Sequence, residues 1–224
     1  MKATRFLLAL ALLAVVVGAA HAQGPLVRLS WDGCDPQVPD KVWSGPHQYQ
    51  LFVSLIGETE INSGHDSQIV VAPDIQDAWR FDDAGCQGAA YVTFNAGGTK
   101  TCPAMQGDGP LGITAYMYDP ETKNVTMRMA NTYNAFVPDP ATRYALWVIT
   151  FDHQYSVPGP GDPGLTCGNA LAGSFFDIFT DVLTTAGPYQ HCQHQPGDHV
   201  VTWNGGPPTP TTPMTLGKVK ALYR

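Results

Sequence analysis

The nonapeptide RYALWVITF, Arg143 to Phe151, decides how the rest of the chain is read. Seven of its nine residues are apolar or aromatic, it contains neither glycine nor proline, and turn formers bracket it in VPDPAT before and SVPGPGDPG after. An amphipathic helix would place a polar residue at every third or fourth position, whereas only Arg143 and Thr150 interrupt this run. The expectation is a fully buried β-strand.

Just upstream, LGITAYMY (111–118), the turn DPETKN and VTMRMAN (125–131) give the clearest hairpin in the chain. Val125, Met127 and Met129 alternate with Thr126, Arg128 and Ala130, the period-two pattern of a sheet with one covered face, and Asp119, Pro120 and Asn124 supply the turn. Further strands are expected at 25–32, 48–57, 67–72, 89–95 and 199–204, with a brief extended piece at Trp79 to Phe81. NSGHDS (62–67) reads as a turn and Gly33 to Pro46 as a loop. SFFDIFTDVLT (174–184) fits a helix face through Phe175, Phe179 and Val182, and equally a strand face through Phe176, Ile178, Thr180 and Val182. Its Thr and Phe content selects the strand. Nine or ten short strands without a long helix predict an all-β fold, a two-sheet antiparallel sandwich.

The amino terminus has Lys2 and Arg5, an apolar run from Phe6 to Val17, and small residues at Ala20 and Ala22. That is the pattern of a secretory signal peptide over 1–22, too short to span a bilayer, which needs roughly 20 apolar residues. The divisions that follow are a sandwich domain over 23–204, a Pro/Thr linker over 205–213 and a basic amphipathic tail over 214–224. The location expected is secreted, extracellular or periplasmic, with no transmembrane segment in the mature chain.

The chain has 12 Lys and Arg against 19 Asp and Glu, and two of the basic residues fall in the signal segment, so the mature charge is 10 − 19 = −9 with His neutral. A chain that acidic repels phosphate backbones, which argues against nucleic acid. The low charged fraction of 14%, with 23 Gly and 19 Pro, suits a turn-rich extracellular β-protein, and 44% hydrophobic residues suffice for a core.

None of the five cysteines (34, 86, 102, 167 and 192) stands in a CxxC pair, so disulfides are expected over zinc or redox chemistry. The first choice is Cys167 with Cys192, then Cys86 with Cys102, whose short loop would contribute about 3 kcal/mol in the chain-entropy model. Cys34 with Cys86 competes, and spacing does not decide between them.

Candidate chemistry is sparse. His191, Cys192, His194, Asp198 and His199 are metal-ligand types within nine residues, but a disulfide at Cys192 would remove one of them. Asp32, Asp35 and Asp40, and Asp74, Asp77, Asp82 and Asp83, lack the DxDxDG spacing of a calcium loop and read as turn and cap residues. Ser63, His65 and Asp66 lie too close together for a triad, and no GxSxG elbow occurs. Asp152 and His153 should face opposite sides of the strand end. Trp43, in a loop without apolar periodicity, is expected to be exposed and able to contact a sugar ring or a protein. In the tail, Lys218, Lys220 and Arg224 stand without acidic neighbours, and with Tyr223 they read either as a frayed terminus or as a docking peptide.

A YDP-bearing strand (118–120) followed by the VITF strand (148–151) resembles cohesin-like sandwiches of bacterial surface assemblies over residues 48–153. The SWDGC opening, QDAWRFDDAGC, FDH, the CG turn and the GKVKALYR ending are similar to a group of secreted bacterial proteins, a resemblance that implies no activity. Fold analogy adds calcium as the one ion to consider; no cofactor is otherwise expected. Together these features point to a secreted, non-catalytic binding or surface-structural module with a protein or polysaccharide partner at the cell surface. The rival is an extracellular carbohydrate hydrolase, which would need convergent carboxylates in a concave pocket.

Overall fold

The computed structural model describes residues 24–72, 74–99, 102–105, 111–184, 187–192 and 197–206. The expected signal segment 1–22, residues 207–213 of the linker and the tail 214–224, with Lys218, Lys220, Tyr223 and Arg224, lie outside the described residues. In chain order the strands are β1 (Leu26–Trp31), β2 (Asp40–Lys41), β3 (Gln48–Ile56), β4 (Asn62–Ala72), β5 (Val92–Asn95), β6 (Leu111–Asp119), β7 (Asn124–Phe136), β8 (Tyr144–Asp152), β9 (Ser174–Thr184), β10 (Gly187–His191) and β11 (Val200–Trp203). They form two facing sheets, one of order β1-β3-β8-β5 and one of order β2-β11-β9-β4-β7-β6. β10 and β11 follow one another along the edge of β9 that β4 does not occupy. The expected all-β sandwich is what the chain forms, and SFFDIFTDVLT is a strand.

RYALWVITF supplies β8, an inner strand between β3 and β5, and its lack of alternation has a structural cause. Leu146 is an extra residue between the Val53–Trp147 and Ser54–Ala145 pairs, so Leu146 and Trp147 both enter the main core with Ile149 and Phe151. Ala145 and Val148 face the other way and are still buried, because the Cys34–Cys102 disulfide closes over them and Phe52. Pro103 to Met105 continue the cover along the same strand, through Met105 N–H to Ala145 O (2.9 Å) and Ala145 N–H to Pro103 O (2.8 Å).

Between the sheets sits an aromatic core of Trp31, Tyr49, Trp79, Phe81, Phe151, Phe176 and Trp203, all fully buried. Edge-on contacts dominate it, such as Trp31 on Phe176 (5.2 Å, 86°) and Trp79 on Trp203 (4.9 Å, 89°). Each such pair adds about 0.5–1.5 kcal/mol to its area burial. Trp31 and Trp203 keep their indole N–H groups bonded to backbone carbonyls, those of Thr202 and Ala170, both at 2.8 Å.

Three expectations are corrected. NSGHDS is not a turn but the start of β4, held by β7 on one side and β9 on the other. Pairing on both sides overrides the local turn preference, and Gly64 permits it: a Cβ there would lie 2.7 Å from the Asn131 carbonyl. Trp79 is not extended but ends a short 3-10 turn, Asp77–Trp79, which carries its ring into the core. The disulfides are Cys34–Cys102 and Cys86–Cys167, and Cys192 is a buried free thiol. Cys167–Cys192 does not form because the Cys192 N–H bonds to Thr180 O (3.0 Å) beside β9 and its side chain is drawn between the sheets, and Cys86–Cys102 does not form because Cys102 lies with Cys34 over β8 while Cys86 joins Cys167.

The two bridges should respond differently to reductant. Cys86 is exposed, whereas Cys34 and Cys102 are 1% and 0% exposed. Mild reduction of the native protein, followed by alkylation and mass mapping, should label Cys86 and Cys167 well before Cys34 and Cys102. A C34A/C102A variant should lose about 4 kcal/mol in denaturant unfolding, the chain-entropy value for closing 68 residues.

Candidate functional site

Alternation along β4, β7 and β9 sends one set of side chains into the core and the other to the outside of the larger sheet. Ile69, Val71, Val125, Met127, Met129, Phe176, Ile178 and Val182 go inward. Outward, the register lines up Met117, Thr126, Val70, Asp177 and Val200 in one row across five strands. A parallel row runs Ile113, Ala130, Asp66 and Asp181. Ile113 and Met117 are 76% and 44% exposed, and Val70 and Phe179 are half-buried. Among the described residues this face is broad and partly apolar, with Ile113 and Met117 its exposed apolar side chains.

The face is acidic. Among the described residues Asp66, Asp177 and Asp181 lie on it with Arg128, whose guanidinium reaches Asp66 at 3.3 Å. Burial raises the Asp177 carboxyl to about 6, against the opposing pull of His199 at 3.9 Å.

The outer face of the smaller sheet is different in kind: Ser30, Phe52, Ser54 and Val148 are buried there. A separate cleft of about 570 Å³ lies at one end of the sandwich, beside the Cys86–Cys167 bridge. Among the described residues Asp77 is the only carboxylate lining it, alongside Arg80, Tyr155, Leu165 and Thr166. The Arg80 guanidinium is already held by Asp82 through two bonds of 2.6 and 2.8 Å and lies 3.7 Å over the Tyr118 ring. Two convergent carboxylates, the requirement for glycoside cleavage, are therefore not found at this cleft.

The residues singled out in the sequence disperse. Trp43 is half-buried, not a free platform: it stacks on Tyr49 (5.9 Å) and meets His153 edge-on (5.9 Å), while its backbone N–H donates to Asn204 Oδ1. Cys192 turns into the core, Asp198 pairs with Arg28 at 3.0 Å, His199 faces Asp177, and His194 lies outside the described residues. Asp35 faces Arg28, Asp32 pairs with Lys41, and Asp40 accepts from Thr202 and the Gly205 N–H. Asp74 faces Lys123 and Asp82 faces Arg80. Among the described residues no group of three or more His, Cys, Asp or Glu side chains is placed to hold a metal ion. Ser63 donates to Leu183 O while His65 points into the core, so no triad forms. Asp152 accepts from Gln48 at the surface, and the adjacent His153 is fully buried.

No protein-family model matches the chain, and no curated protein matches it. Solved structures similar to it are cohesin domains. A type II cohesin domain from the cellulosome of Acetivibrio cellulolyticus is 11% identical with a TM-score of 0.43, covering 81% of this chain and 95% of its own. The second type II cohesin module of an adaptor scaffoldin from the same organism is 12% identical with a TM-score of 0.43, covering 87% and 98%. A non-cellulosomal cohesin from the archaeon Archaeoglobus fulgidus is 8% identical with a TM-score of 0.32, covering 79% and 88%. No helix among the described residues is long and apolar enough to cross a membrane.

Two histidines were missed as structural elements. His153 stacks on Trp203 (5.4 Å, 16°) and shares a 2.9 Å bond between Nδ1 and the Ser156 hydroxyl. His65 sits edge-on to Trp147 at 5.8 Å, with neither ring nitrogen bonded to a protein group. Burial lowers both to about 3. Their folded values lie below the unfolded value of about 6.5, so the unfolded chain binds more protons between those limits and stability falls as pH drops through that window. Each histidine can remove up to about 1.4 kcal/mol per pH unit, and Asp177, raised to about 6, offsets part of this by taking up a proton in the native state. Urea unfolding from pH 7 to 4.5 should show a net loss of stability on acidification. The variants His65→Gln and His153→Gln should each flatten that dependence by about one proton.

Proposed function

We propose that this chain is a secreted, non-catalytic binding module that docks a protein partner on the outer face of its larger sheet. The observation that carries this reading is the contrast between the two outer faces. One is closed by a disulfide and its loops, while the other is left open with Ile113, Met117, Val70 and Phe179 among carboxylates. Exposed apolar surface rimmed by charge is what protein interfaces use, and a net negative face selects a partner with a basic rim. The amino-terminal signal pattern supports export, and two disulfides suit an oxidising compartment. The basic tail, with Lys218, Lys220, Tyr223 and Arg224, would act separately, as an address read after or during export.

A photo-crosslinking residue placed at Val70, in the full chain expressed in its own cell, should capture a protein partner. The same residue at Gln50, exposed on the smaller sheet, should not. Binding of the captured partner should weaken at least tenfold in V70K and should decline with added salt, less steeply in D66N/D181N. Adducts from position 50 alone would overturn the assignment of the face. Release of reducing sugar from polysaccharide by the purified protein would favour the hydrolase instead.

A further inference from the structure

We propose that two copies of this chain pair through the free edge of β6, antiparallel and centred on Ala115, joining their larger sheets into one. β6 is an edge strand: its only ladder partner is β7, and among the described residues its backbone bonds to no other segment. Edge strands are usually blunted by shortness, a bulge, a proline, a charge or a covering loop. β1, the far edge of the smaller sheet, is covered in this way, with Leu29 N–H bonded to Asp198 O (2.8 Å) and Trp31 N–H to Val38 O (3.0 Å). β2 has two residues and β5 has four. β6 has nine, pairs with β7 without a register shift, and carries no proline and no charge from Leu111 to Tyr118.

The composition of this strand suits a second copy of itself. Directly opposed residues of an antiparallel pair share a face, and a two-fold axis at Ala115 sets Ile113 against Met117 of the other copy, twice over. Ile113 and Met117, both exposed, thereby cover each other, and the small Ala115 sits at the axis. Charge permits it too. The chain as a whole is acidic, but the uncharged strand brings no like charges face to face, and Asp119 falls opposite Leu111 at the rim. On the neighbouring strand Arg128 is drawn away from the edge by Asp66 (3.3 Å), and the two copies of Arg128 would stand roughly 14 Å apart at three strand spacings. Nine residues per copy are fewer than the roughly 20–30 of a standard interface, so the dimer is of roughly micromolar affinity.

Sedimentation velocity on the mature chain, from about 1 μM to about 1 mM, should show a monomer–dimer equilibrium. The double variant I113K/M117K, altered only at exposed positions, should remain monomeric across the series with an unchanged unfolding curve. Ala115→Cys should give a disulfide-linked dimer whose bridge maps to position 115. A wild-type chain that stays monomeric throughout, or a double variant that dimerises equally well, overturns the proposal. The readout needs no other protein, so it is independent of the docking face.

Discussion

Burial of β8 on both faces is the constraint from which the rest of the arrangement follows. A strand with one wet face alternates; this one carries Leu146, Trp147, Ile149 and Phe151 into the sandwich and Ala145 and Val148 out of it, and all six need cover. The inner set is met by the aromatic core. The outer set cannot be met by a third layer in a chain of this size, so the loops that hold Cys34 and Cys102 fold back over it and are fixed by a covalent bond. That cover occupies much of the outer surface of the smaller sheet. The larger sheet, whose outward residues are mixed rather than uniformly apolar, needs no such cover, and Ile113 and Met117 stay exposed on it.

What could be read from the sequence tracks how local its physics is. Strands with strong periodicity, such as β7 with Val125, Met127 and Met129 inward, or with an unbroken apolar run, such as β8, declare themselves because burial is written into each residue. The amino-terminal half of β4 does not, since Asn62, Ser63 and Gly64 are turn formers by their own chemistry. They become strand through ladders to β7 and β9, which are far away in the chain. The disulfides fail for the same reason. Loop length weighs closure entropy, but the Cys34–Cys102 pairing is set by which loops overlie β8, a property of the assembled sheets. Trp43 is a milder case: the absence of periodicity around it signals a loop correctly but does not reveal that the loop turns its ring onto Tyr49.

The outer face of the larger sheet was legible only in part. The sequence shows that β7 has one polar face, with Thr126, Arg128 and Ala130, but not that the outward residues of β6, β7, β4 and β9 align into rows. Rows depend on register, and register is fixed by long-range pairing. Likewise the histidine of the FDH segment, an ionisable residue at a strand end, has its character set by what surrounds it. Trp43, Tyr49, Trp79, Phe81 and Trp203 all contact the His153 ring, so the imidazole behaves as one more aromatic plate with a single polar contact to Ser156.

The edges of the two sheets are finished differently in this molecule. Along β1, distant segments at Val38 and Asp198 accept the N–H groups of Trp31 and Leu29, and Arg28 is held by Asp198. Along the free side of β9, two successive strands, β10 and β11, do the same, and β2 adds a further short parallel pairing. A chain that devotes this many residues to closing two of its margins makes the regular, uncharged margin at β6, unpaired on its outer side among the described residues, conspicuous. Closing it would have required only a lysine or a proline among nine residues. Leaving it unprotected carries an aggregation risk, and strands with that risk persist where the same hydrogen-bonding groups serve a defined contact.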